Sequence, residues 1–369
     1  MDDLTDRRAP ATAPEYDGFA FRGRWQEFLP IVATNLLLTI VTLGFYRFWA
    51  KARERRYLWG ETVFVDDRLE WTGTGREMFV GFLIVMAVFI PLGLIVQFGL
   101  PAMIARGYGL LAGVLSLIVY IGFFYMIGVA RFRAIRYRIS RTRWHGVRGG
   151  SDQGGWGYGG QALVSTIFVG LTAGLLQPWA MATLWRARFG AMSFGDAPIG
   201  VGEGPIPKGL FARWFLIYVA FVGIMIALFA MTFGAVLGGM IGEDADSGAV
   251  TAVSILIGVF VLYLTLPVLF VTYYAKYVRE MVGEMSWMNL DFTFTASTWD
   301  WIKLYLGHAL LVIVTLGFGY LFIGYRNWAF FVRHLEARGT LDIDLIRQSE
   351  TRMRTDAEGL ADAFDIGAI

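Results

Sequence analysis

Few residues in this chain could do chemistry, and they are scattered. Histidine occurs only as His145, His308 and His334. No two of them share a metal-ligand spacing, and no acidic cluster lies at such spacing either. Cysteine is absent, which excludes disulfides, thiolate-bound zinc, iron–sulfur clusters and thiol nucleophiles. Serines and threonines form no nucleophile elbow. The run GVGEGPIPKG (Gly200–Gly209) lacks the Gly-Lys-Ser/Thr ending of a phosphate loop and reads as a Gly-Pro linker. The sequence therefore names no catalytic residue, no metal ligand and no cofactor. An enzyme reading would need a buried His308 paired with a carboxylate such as Asp300.

What recurs is basic charge beside aromatic rings. In TIVTLGFYRFWAKARERRYLWG (Thr39–Gly60), Trp49, Tyr57 and Trp59 interleave with Arg47, Lys51, Arg53, Arg55 and Arg56. Arg186 and Arg188 stand in a second such context. This mixture can stack bases and contact phosphates. Here it abuts apolar sequence, where aromatics form interfacial belts and each basic residue near anionic headgroups contributes about 1 kcal/mol. The expected partners are membrane lipids with anionic headgroups, not nucleic acid. Topology anchoring is the plainer reading; a headgroup pocket built on Arg53, Arg55, Arg56, Tyr57, Arg186 and Arg188 is the sharper one. Asn35 and Gln177 are polar candidates at membrane depth, as helix bridges or ligand contacts.

The elements that must position these groups are membrane-grade. The chain has 369 residues, 56% of them hydrophobic, with 17% charged against roughly 25% in soluble proteins. Mean hydropathy is +0.54. Apolar stretches cover roughly Pro30–Ala50, Met78–Leu100, Gly109–Ala130, Ala162–Trp185, Phe211–Met240, Val250–Ala275 and Ile302–Phe331. The expected fold is an all-α polytopic membrane protein with short cytoplasmic β-hairpin-like loops. No Asp or Glu lies inside the clean spans, which argues against an ion-coupled pump.

Basic loops mark the cytoplasmic side. The loops on both sides of the fourth stretch are basic, so that stretch should not cross. Re-entrant hairpins turned at Gly44, Gly174 and Gly317, with Pro178 marking a break, resolve the conflict. They leave four true spans and both termini cytoplasmic. Non-helical backbone at that depth needs cover from protein or water, so the hairpins should sit inside the bundle. The alternative is seven plain spans with an inverted repeat.

An internal repeat supports modules. Thr42–Phe64 overlays Thr172–Phe194 without a gap, matching Thr42, Gly44, Trp49, Ala50, Ala52, Arg56, Gly60 and Phe64 with their counterparts. A looser copy begins at Thr315 and needs about one extra helical turn. Each module opens on a strand-like aromatic segment: FAFRGRW, WGYGGQ or FTFTAST. Hairpins follow the first two copies, with turns expected at Asp66-Asp67 and Asp196-Ala197-Pro198. The organisation reads as a disordered tail (1–18), two membrane modules (19–137 and 138–280), a partial third (281–340) and a cytoplasmic amphipathic tail (341–369). In that tail Leu345, Met353, Leu360 and Phe364 share a face. Gly234, Gly238 and Gly242 form a flat packing face, either an internal seam or a homo-oligomer contact.

These motifs resemble the YjgN-type family of bacterial inner-membrane proteins, a domain of unknown function. The resemblance rests on the F-x-G opening, N-x-x-L-x-x-x-T-L-G-x-Y from Asn35, W-A-K-x-R-x-R-R-Y from Trp49, W-T-G-T-G from Trp71, and the EGLADAFDIG ending. It covers nearly the whole chain and is weakest in the third module. It implies a bacterial cytoplasmic-membrane location and a helical fold, and it brings no catalytic residues. The functional expectation is non-ion-coupled transport or binding of a lipid or other amphiphile. A non-catalytic membrane scaffold and an integral membrane enzyme are the alternatives. A polar cavity near Asn35, Gln177, Arg56 and Arg186 would favour the first; a dry interior would favour the scaffold.

Overall fold

The computed structural model describes residues 18–241, 246–342, 346–349 and 351. The N-terminal tail, Gly242 and the tail residues Leu345, Met353, Leu360 and Phe364 lie outside the described residues. The described residues are mostly helical, but the all-α expectation is corrected by eleven short strands among them.

Strand β1 (Phe19–Phe21) leads into helix α1 (Trp25–Val41), a turn, and α2 (Arg47–Gly60). Strands β2 (Thr62–Phe64), β3 (Asp67–Arg68) and β4 (Glu70–Trp71) follow. Helix α3 (Gly75–Leu94) continues through a π turn (Ile95–Gly99) into α4 (Leu100–Ala105), and α5 (Gly109–Arg141) returns. Strands β5 (Thr142–Trp144) and β6 (Val147–Gly150) lead to α6 (Trp156–Leu171) and α7 (Gln177–Phe189). Next come β7 (Ser193–Phe194), β8 (Ala197–Gly200), α8 (Lys208–Ile241) and α9 (Asp246–Gly283). Strands β9 (Ser286–Trp287) and β10 (Leu290–Phe294), helix α10 (Thr298–Val314), a 3-10 turn (Phe318–Phe322), α11 (Ile323–His334) and β11 (Leu335–Gly339) complete the described chain.

All strands pair antiparallel, in the order β1-β2-β3 and β11-β10-β9-β8-β7-β6-β5-β4. The two sheets meet at both ends: β3 runs on into β4, and β1 lies beside β11, with Gly18 against Ala337. The result is one curled wall with an aromatic interior. There Phe64 packs on Trp144 with ring centroids 5.0 Å apart, and Phe194 on Trp287 at 5.5 Å. Four two-residue turns shape the wall, with positive φ at Val65, His145, Gly195 and Met288. Such turns match the twist of the strands they join. The first two expected hairpins exist, but their turns fall at Val65-Asp66 and Gly195-Asp196, earlier than expected. The WGYGGQ segment is not a strand: it opens α6, where Gly128 and Gly159 allow α5 and α6 to approach closely.

Every helical excursion leaves this sheet and returns to it. Gly75–Ala105, Gly109–Arg141, Lys208–Gly234 and Ile255–Gly283 are long and apolar enough to cross a membrane. They form two out-and-back pairs. The other three excursions are shorter. Helices α1, α6 and α10 have 17, 16 and 17 residues. At about 1.5 Å per residue they fall short of a hydrocarbon core roughly 30 Å thick.

The hairpin turns are not enclosed by a bundle, as the sequence suggested. Leu43 and Leu316 are 89% and 91% exposed. The backbone satisfies itself instead. Thr42 Oγ1 donates to Leu38 O (2.7 Å) and accepts the Tyr46 N–H (2.9 Å), while the Gly44 N–H reaches Thr39 O (2.7 Å). Thr172 and Thr315 repeat this pattern with Phe168 and Leu176, and with Leu311 and Gly319. Gly44, Gly174 and Gly317 have φ of +93°, +92° and +97°, the left-handed geometry of a Schellman-type helix end. With these donors met internally, the turns need no covering protein. In the third hairpin the 3-10 segment supplies the extra turn before α11.

The expected module boundaries at 137 and 280 fall inside α5 and α9. Gly234 is exposed in α8, and a Cβ there would meet open space.

Candidate functional site

The basic cluster of the first hairpin is largely engaged in holding that hairpin together. Asn35, 3% exposed, donates from α1 to Ala50 O on α2 (3.2 Å), and Arg53 Nη1 lies 3.4 Å from Asn35 Oδ1. Tyr57 Oη donates to Arg24 O (2.8 Å) and accepts the Arg24 N–H (2.9 Å). Burial, above all, pushes the Tyr57 phenol up to about 12, so it stays a neutral donor. The buried Arg55 lies over the Trp71 ring, 5.0 Å from its centroid. Arg56 is exposed. A cavity of about 500 Å³ opens between this hairpin and the third, but its charged residues Lys51, Glu54, Arg55 and Arg138 each have a partner in the protein.

The second hairpin differs. Its Arg186 forms a bidentate pair with Glu284 and also donates to Gly204 O (2.7 Å). The hydrogen bonds that Arg186 donates to the Glu284 carboxylate raise its pKa above the usual value. Arg188, two residues on, remains half-buried over the Phe189 ring. Arg188 and Gln177 line a cavity of about 340 Å³, together with Arg131, Ser165, Trp185 and Tyr277. Pro178, at the start of α7, is buried. Three of the lining residues carry buried polar atoms without a hydrogen-bond partner: Ser165 Oγ, Trp185 Nε1 and Arg188 Nε.

That trio has a defined chemistry. An indole N–H and a guanidinium N–H can only donate, and a hydroxyl can do either. Buried polar groups without partners are costly, on the order of 1–3 kcal/mol each. An occupant that met these donors would have to present acceptor oxygens, and the cationic Arg188 and Arg131 would favour an anion such as a phosphate or carboxylate.

The position of Ser165 is not accidental. Two helical turns before the turn threonine, the three hairpins carry Asn35, Ser165 and His308, and all three are buried. Asn35 closes onto the α2 backbone. Ser165 and His308 Nε2 have no partner. The carboxylate imagined beside His308 is engaged elsewhere, because Asp300 caps α10 through Ser297 N (3.0 Å) and Oγ (2.6 Å).

Sequence reasoning found Gln177 and Arg188 but missed Ser165, Trp185 and Arg131. Ser165 stands among many scattered hydroxyls, and Arg131 was read as part of a basic loop. The only available signal was the position shared with Asn35.

Comparison with known proteins sets this geometry in a family. Residues 17–363 match the family described as "Bacterial protein of unknown function (DUF898)". The inner membrane protein YjgN of Salmonella typhimurium (strain LT2) is 25% identical over 117 residues, covering 32% of this chain and 30% of the relative. The inner membrane protein YjgN of Escherichia coli K12 is 28% identical over 130 residues, covering 35% of this chain and 30% of the relative. The matched part thus spans about 30% of the length of these curated relatives. No solved structure matches. With nearly its whole length covered by the family match, the chain belongs to this bacterial family.

Proposed function

We propose that this protein is a bacterial inner-membrane protein that binds an anionic amphiphile at the level of the cytoplasmic headgroups. The observation that carries the reading is the partnerless trio of Ser165 Oγ, Trp185 Nε1 and Arg188 Nε around one cavity. The proposed arrangement has four spans and three re-entrant hairpins in repeated modules, with the curled sheet and both termini cytoplasmic. It is supported by the short hairpin helices, by their return to one sheet, and by the basic helix ends on the sheet side. It sets Arg131 and Arg188 at headgroup depth. A scaffold would leave the interior dry, and a cavity with unmet donors argues against that reading.

The test is lipid retention. Purified protein, stripped of lipid and exposed to equal phosphatidylglycerol and phosphatidylcholine of matched chains, should retain the anionic lipid preferentially in native mass spectrometry. R188Q and W185F should each weaken that preference by about ten-fold, the effect of losing one charge-assisted hydrogen bond. R56Q should not. No preference in the wild type, or an equal loss in R56Q, would remove this site from consideration.

A further inference from the structure

The interior of the curled sheet holds a second cavity, also about 340 Å³, that the anion site does not use. Strands supply Phe64, Trp144, Phe194 and Trp287 to its wall, and helices add Phe189, Val282 and Val332. No polar atom reaches its surface.

Apart from Trp185 Nε1, already described at the anion site, the polar groups nearby are engaged. Trp144 Nε1 donates to Phe64 O (2.9 Å) and Trp287 Nε1 to Phe194 O (3.1 Å). Trp328 Nε1 donates to Thr62 Oγ1 (2.9 Å), whose hydroxyl donates to Leu58 O (2.8 Å). Thr142 Oγ1 donates to Arg138 O (2.9 Å) and accepts the Trp59 indole N–H (2.8 Å).

A water molecule needs two to four polar partners, and this wall provides none. Apolar space far smaller, about 150 Å³, stays dry and takes up benzene. Protein interiors are otherwise close-packed, so an unfilled space of this size is unfavourable. The wall is mainly aromatic and aliphatic, and no hydrogen-bonding group reaches its surface to fix a ligand's orientation.

We infer that this chamber is a binding site for a single hydrocarbon chain. The inference goes beyond the anion site and does not depend on it. The chain could come from a membrane lipid or from a free fatty acid; the shared chemistry is the alkyl chain. Trp185 lines both cavities, so an amphiphile's head and tail would meet at one indole.

The experiment uses n-decane, which has no headgroup, and the full-length protein in phosphatidylcholine nanodiscs. Decane should raise the wild-type melting temperature by several degrees. V282F and V332F fill the chamber. Each should melt at or above the wild type without decane and lose the decane shift, while R188Q should keep it. Adding free decanoate or single-chain lysolipid to the wild type then distinguishes the two sources of chain. The inference is overturned if decane shifts the filled variants as much as the wild type, or does not shift the wild type. It is also overturned if both variants melt well below the wild type or fail to fold, since the space would then be absent.

Discussion

Arg186 and Glu284 are joined by two hydrogen bonds, Nε to Oε2 at 2.8 Å and Nη2 to Oε1 at 2.6 Å, which tie the last turn of α7 to the residue just beyond α9. The pairing connects the second hairpin to a membrane-span helix and holds the 201–207 loop through Gly204. An arginine that looks from sequence like a lipid ligand is therefore a structural clamp. Its side chain is 17% exposed and that of Glu284 20%, so solvent weakens but does not cancel the pair. R186Q and E284Q should each lower stability by about 1–2 kcal/mol. The double variant should cost less than the two single effects added, as read from thermal unfolding in nanodiscs.

The T-x-G turns carry the claim that exposed hairpin tips tolerate lipid. T42V, T172V and T315V keep the side-chain shape and delete the hydroxyl that accepts a backbone N–H in each turn. Each should destabilise by about 1–2 kcal/mol, while the serine variants should stay near wild type. G174A forces a Cβ onto φ +92° and should cost on the order of 1–3 kcal/mol. Proteolysis rates of reconstituted protein would report both effects.

Val65 is β-branched yet sits at φ +59° in the first hairpin turn, a region that such residues rarely occupy. V65N should relax the turn and raise the melting temperature. The gain should be about 1 kcal/mol, the typical left-handed penalty. A fall instead would mean that the Val65 side-chain packing outweighs the backbone strain.

Asp300 gives a pH signature. Hydrogen bonds from the Ser297 side chain, then its backbone, hold the carboxyl below its ordinary value of 3.8. A lowered folded-state pKa stabilises the protein above the unfolded value and is lost as pH falls through the folded one. The stability advantage of wild type over D300N should therefore be complete above about pH 5 and shrink below about pH 4. A constant difference across that range would show that the carboxylate charge is irrelevant to the cap.

How much of this was legible in the sequence depends on the range of the interaction. Seven apolar stretches could be read because hydropathy is local, and four of them hold the helices long and apolar enough to cross a membrane. The T-x-G turns could be read because one motif repeats within a few residues. The curled sheet could not. Its strands are two to five residues long, and β4 pairs with β5 across the whole α3–α5 excursion. No local pattern announces such pairing. The arginines after Gly109–Ala130 were read as a loop, yet α5 runs on to Arg141. There Arg141 is buried and clasps Glu77 at 3.1 Å through both Nε and Nη2. Charge alone did not reveal that its partner lay at the start of α3. Within the candidate site, Gln177 and Arg188 were visible by type, whereas Ser165 gains meaning only once α6 and α7 are folded together.

The central claim is that the curled sheet lies on one side of the membrane and that the α6–α7 hairpin does not cross. The native chain has no cysteine, so single cysteines can replace the exposed residues Asp152, before α6, and Glu203, after α7. A third can replace Arg106, between α4 and α5. Labelling intact cells with a membrane-impermeant maleimide should modify the cysteine at 106 and spare those at 152 and 203 until the membrane is permeabilised. Labelling of only one of 152 and 203 in intact cells would show that the second hairpin crosses, and the one-sided sheet and the headgroup-level cavity would fall with it.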